Sequence, residues 1–62
     1  MNVLTDVWEA FDDKQNSLFA KEKEDALRFA EELFGSVSGV YPMKALLTKE
    51  EFNIIMTGGY VY

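Results

Sequence analysis

The chain has 62 residues, 48% of them hydrophobic and 15% aromatic, and eleven acids outweigh six bases to give a net charge of −5. A domain this short buries only about 60% of the surface its unfolded chain exposes, and its core contributes ~3–5 kcal/mol net. With neither cysteine nor histidine, disulfides and thiolate zinc sites are excluded, and the commonest metal ligand and general base are missing.

The first third of the chain is ambiguous. Leu4, Val7, Trp8 and Phe11 fit a helical stripe, while Val3, Val7 and Phe11 fit one face of a strand. The polar cluster Asp12-Asp13-Lys14-Gln15-Asn16 decides for a turn, and Ser17-Leu18-Phe19-Ala20 has the length of a returning strand. A hairpin is therefore expected over residues 2–20.

A helix is predicted over Lys23–Phe34. Ala26, Phe29, Ala30 and Leu33 recur at i, i+3, i+4 and i+7, and should form its core stripe. Glu24, Asp25, Arg28, Glu31 and Glu32 fall on the opposite face. Arg28 lies four residues from both Glu24 and Glu32 and is placed to bridge them. Gly35 stands where a left-handed cap is wanted.

Gly35-Ser36-Val37-Ser38-Gly39 reads as a linker. It lacks the lysine of a phosphate-binding loop and leads into a strand rather than a helix. In Val40–Leu47, Tyr41, Met43, Ala45 and Leu47 alternate on one side, which predicts a strand with one face on a core. Pro42 has no N–H to donate and belongs at the strand start or on an edge. Thr48-Lys49-Glu50-Glu51 reads as a capping box opening a short helix, with Phe52, Ile55 and Met56 as its buried stripe. Gly58-Gly59 ends it, leaving residues 58–62 as a tail or an extra strand.

The order implies a single α+β domain, ββαβα, with one antiparallel or mixed sheet covered on one face by a central amphipathic helix. The competing plan is an all-α four-helix arrangement. No apolar run approaches the ~20 residues a membrane span requires. Met1–Asp6 lacks the basic region and apolar core of a signal peptide. A cytoplasmic protein without cofactor is expected.

Candidate chemistry is sparse. Asp12–Ser17 has a faint likeness to a calcium loop, but Lys14, Ser17 and Lys23 occupy positions that need an acid, a glycine and a bidentate glutamate. The adjacent carboxylates Asp12/Asp13, Glu31/Glu32 and Glu50/Glu51 have no cleft to raise one pKa, so they read as solvated charges. No enzymatic activity is expected. The six cations are scattered among acids, which disfavours direct nucleic-acid binding.

What remains is a binding surface. A domain this small cannot hide all of Trp8, Phe11, Phe19, Phe29, Phe34, Tyr41, Phe52, Tyr60 and Tyr62. Tyr60 and Tyr62, released by two glycines, are the expected exposed aromatics. With the carboxylates they define a candidate partner-binding set of Asp12, Asp13, Glu24, Asp25, Glu31, Glu32, Tyr60 and Tyr62. Its expected occupant is another protein with a basic surface, and self-association into a homodimer or larger assembly is the alternative role.

No motif ties the chain to a named family. In its size and charge it resembles small acidic proteins of bacteriophages and mobile elements. A hairpin, a helix of the Lys23-Glu24-Asp25-Ala26-Leu27-Arg28-Phe29-Ala30 kind, then a strand, is similar to the plan of some small phage inhibitors of host enzymes. That resemblance implies an inhibitor or modulator of a host polymerase, nuclease or defence effector, acting in the host cytoplasm.

Overall fold

The computed structural model describes residues 1–62. The elements are β1 (Asn2–Phe11), β2 (Ser17–Ala20), α1 (Lys23–Phe34), β3 (Gly39–Thr48), α2 (Lys49–Met56) and β4 (Tyr60–Val61). The class is α+β, the ββαβα order holds with a two-residue fourth strand, and the four-helix plan is not supported. One antiparallel sheet has the order β3-β1-β2-β4.

Local chemistry explains the ends of the elements. Asp12 closes the β1–β2 turn: its Oδ1 accepts the N–H groups of Lys14 and Asn16, and its Oδ2 accepts from Asn16 Nδ2. Gly35 adopts φ 83°, and its N–H donates to Glu31 O at 3.0 Å, ending α1 in the left-handed cap. At α2 the capping box forms as read, with Glu51 N–H on Thr48 Oγ1 and Thr48 N–H on Glu51 Oε1. Pro42 lies on β3, an edge strand.

The sheet carries a core on each face. Strand alternation sends Ala10, Leu18, Ala20 and Val40 to one side, where Ala26 and Ala30 of α1 meet them. It sends Val7, Phe19, Ala45, Leu47 and Val61 to the other, where Ile55 of α2 is buried among them. The expectation of one covered face is corrected: α2 folds back under the sheet from the end of β3 and covers part of the second face.

Small residues dominate the α1 side. Ala10, Ala20, Ala26 and Ala30 are all fully buried, with Leu18 the one large side chain among them. Their small size lets the helix approach the sheet closely, so the inward line of α1 runs through Ala26 and Ala30, with Phe29 and Phe34 flanking it. Leu33 falls outside that line and is 46% exposed, contrary to its place in the expected stripe. Phe29 is half-buried, as are Trp8, Phe11, Phe19 and Phe34, so the aromatics border the two cores instead of filling them. In α2 only Ile55 is buried; Phe52 is half-buried and Met56 exposed. Arg28 pairs with Asp25 at 3.3 Å, three residues away, rather than bridging Glu24 and Glu32.

Each helix covers only part of the long β1–β3 ribbon. On the α1 face, Leu4 and Leu46 pair across the strands at the Asn2 end and are each 63% exposed. On the α2 face, Phe11 and Tyr41 stack edge to face at 5.9 Å at the turn end. Phe11 lies on Gly39, where an added Cβ would come within 2.7 Å of its Cζ, so any side chain there would have to displace the Phe11 ring. Tyr41 lies on the face expected of it, with Met43, Ala45 and Leu47, but beyond the reach of α2 it is exposed, and its hydroxyl donates to Glu9.

Leu18→Ala should cost about 2–5 kcal/mol, comparable with the whole stability of the domain, because Leu18 fills the gap between alanines. Leu33→Ala should cost well under half as much. Urea denaturation of the two variants checks this order, and the reverse order would contradict the placement of α1.

Candidate functional site

The structure divides the candidate residues into three groups. Tyr62 is 72% exposed, packs edge to face on Phe34 at 5.6 Å and reaches Asn16 Oδ1 with its hydroxyl at 3.4 Å. It therefore lies between the Asp12–Asn16 turn, which carries exposed Asp13, and the last turn of α1, which carries exposed Glu31 and Glu32. Asp13, Glu31, Glu32 and Tyr62 thus lie toward one end of the molecule, with Glu31 on the Phe34 side of α1 and Glu32 about 200° around the helix from Phe34.

Glu24 and Asp25 sit in the first turn of α1, about 10 Å or more away at 1.5 Å per residue. Glu24 is exposed, whereas Asp25 is half-buried and paired with Arg28.

Asp12 is buried and Tyr60 half-buried, so neither is a free surface group. Asp12 is 6% exposed, and its carboxylate is taken up by the turn. The side-chain hydrogen bond from Asn16 holds its pKa below the ordinary carboxylate value against the opposing effect of burial; the N–H groups of Asn16 and Lys14 and the charge of Lys14 add to the lowering. Tyr60 pairs with Ala20 in the sheet and packs on Phe29 at 4.7 Å, so it is part of the α1 core border.

One feature was invisible in the sequence. Lys21 and Lys23, neighbours in the chain, and the distant Lys44 gather around Trp8. Lys23 Nζ lies 6.0 Å from the centre of the Trp8 ring. Trp8, Lys21 and Lys44 line an open depression of about 360 Å³ with Asp6, Val7, Pro42 and Met43. Half of the cations thus cluster on the α1 face, which corrects their expected scatter. No signal in the linear sequence brings Lys44 and Trp8 to Lys21 and Lys23; the β1–β3 register, with Asp6 opposite Lys44 and Trp8 opposite Pro42, places Lys44 beside Trp8.

No group of three or more Asp or Glu side chains converges as a metal site, and no helix is long and apolar enough to cross a membrane. Tyr41 has its pKa raised by its hydrogen bond to Glu9, followed by burial and the Glu9 charge. No protein-family model, no curated protein and no solved structure matches the chain.

The lowered pKa of Asp12 makes a pH prediction. A carboxyl whose folded pKa is depressed contributes stability that is complete above its unfolded value, ~3.9, and is lost as pH falls through the folded value. Asp12→Ala should therefore be less stable than wild type near neutral pH, with the difference shrinking below about pH 4. Melting temperatures measured across the acid range check it; an equal deficit at all pH values would show that the charge of Asp12 contributes nothing.

Proposed function

We propose that the chain is a non-enzymatic protein-binding domain that inhibits or modulates a partner with a basic surface through its acidic and aromatic end. The observation that carries this reading is the position of Tyr62. It is a large exposed aromatic that packs on Phe34 and reaches Asn16, at the end of the molecule that carries the exposed Asp13, Glu31 and Glu32. A fixed tyrosine supplies contact area at small entropic cost, and a rim of like charges speeds encounter with an oppositely charged partner. Glu24 extends the same charge along the outer face of α1. The resemblance in size and plan to small phage inhibitors adds a host polymerase, nuclease or defence effector as the class of partner.

The two parts should act on different rates. Glu31→Lys with Glu32→Lys should slow association and weaken its salt dependence. Tyr62→Ala should speed dissociation, by about 2 kcal/mol if the ring is an anchor. Truncating the whole Tyr60–Tyr62 segment is a poorer test, because Tyr60 belongs to the core border. Binding kinetics at low and moderate salt, with the captured partner immobilised, read both effects. Wild-type kinetics for both variants, with circular dichroism unchanged, would contradict the proposal.

A further inference from the structure

The sheet contains an unpaired backbone edge at the end opposite Tyr62. β2 is four residues long and covers β1 only from Trp8 to Phe11, whereas β3 pairs with β1 from Asn2 to Phe11. The direction of the backbone groups follows from two hydrogen bonds. Asp12 N–H donates to Asn16 O on the β2 side, and Phe11 O accepts from Ser38 N–H on the β3 side. Alternation along the strand then turns even-numbered residues of β1 toward β2 and odd-numbered ones toward β3. Pro42, opposite Trp8, agrees: its nitrogen falls on the outer side of β3, where no N–H is needed. Asn2, Leu4 and Asp6 therefore present both N–H and C=O to the place that β2 vacates.

Native proteins protect such edges. The outer edge of β3 has Pro42 and the charge of Lys44. The free edge of β1 has no proline; its one charge, Asp6, lies opposite Lys44, and its middle residue is the exposed Leu4.

We propose that Asn2, Leu4 and Asp6 are a self-pairing edge, through which two copies of this chain join their sheets by antiparallel β1–β1 pairing about a twofold axis at Leu4. Three features select a second copy as the occupant. First, the axis sets Leu4 opposite the partner's Leu4, and Asn2 opposite the partner's Asp6. Every open N–H and C=O of the edge then meets its complement, as an isologous contact requires. Second, Leu46, Leu4, the partner's Leu4 and the partner's Leu46 become one continuous apolar row, so two of the most exposed leucines of the molecule gain cross-strand neighbours. Third, each flanking row runs Lys44, Asp6, the partner's Asn2, the partner's Thr48, with no carboxylate opposite another. The axis is perpendicular to the sheet, so both α1 helices lie on one side of the joined sheet. Both Tyr62 ends remain free, and the inference does not depend on the docking role proposed for them.

Sedimentation equilibrium over a concentration series, combined with amide hydrogen exchange, tests the proposal. The mass should double with concentration, and the amides of Leu4 and Asp6 should become protected in step with it. Asp6→Pro removes an outward N–H without touching the β1–β3 ladder, and should leave a folded monomer. Leu46→Lys, away from the pairing line, should still dimerise. A monomer at every concentration overturns the proposal. So does a dimer that survives Asp6→Pro, or one that Leu46→Lys alone abolishes, since stacking of sheet faces would then be the contact. Should Asp6→Pro fail to fold, the exchange of Leu4 and Asp6 amides in the wild-type chain decides the question, with concentration-independent exchange counting against the edge.

Discussion

Everything in this fold depends on β1 serving two cores at once. Its ten residues pair with β3 throughout, and successive side chains go to opposite faces. Val7 meets Ile55 and the α2 side, while Ala10 meets Ala26, Ala30 and the α1 side. A slip of one residue in the β1–β3 register would exchange the two sets and open both cores together. For a chain of 62 residues without cross-links, two thin cores sharing a strand use the few large apolar residues economically. Alanine contacts on one side allow close approach, and a single isoleucine closes the other.

The same arrangement leaves work for the surface. The helices are shorter than the ribbon and cover different ends of it on its two faces. Leu4 and Leu46 are left open at one end, and Phe11 and Tyr41 at the other. Charge is divided too. Exposed carboxylates lie along α1 and in the Asp12–Asn16 turn, and three of the lysines gather around Trp8. A net charge of −5 therefore conceals an uneven charge distribution, with exposed carboxylates toward the Tyr62 end and a depression lined by Trp8, Lys21, Lys44 and Asp6 near the open strand edge.

Much of the local structure was legible. Helix α1 has the predicted bounds, because Ala26, Phe29 and Ala30 supply a period and Gly35 a stop signal. The α2 start was written in the Thr48–Glu51 capping box, and the hairpin in Asp12–Asn16. Tertiary placement was not legible. Nothing near Ile55 says which sheet face α2 will cover, since Phe52, Ile55 and Met56 show one apolar stripe whichever side it takes. Leu33 has the period of a core residue but lies off a helix line set by the small size of Ala26 and Ala30. Asp12 and Asp13 are alike in sequence, yet the turn buries one and exposes the other. The open edge of β1 comes from the difference in length between β1 and β2, which only the register reveals.

The most direct test of the two-core account is a methyl NOE experiment on the folded chain. The account predicts contacts from Ile55 methyls to those of Val7, Ala45 and Leu47, contacts from Ala30 to Ala10 and Leu18, and none joining Ile55 to Ala26 or Ala30. Cross-peaks between Ile55 and the alanines of α1 would put both helices on one face of the sheet and contradict it.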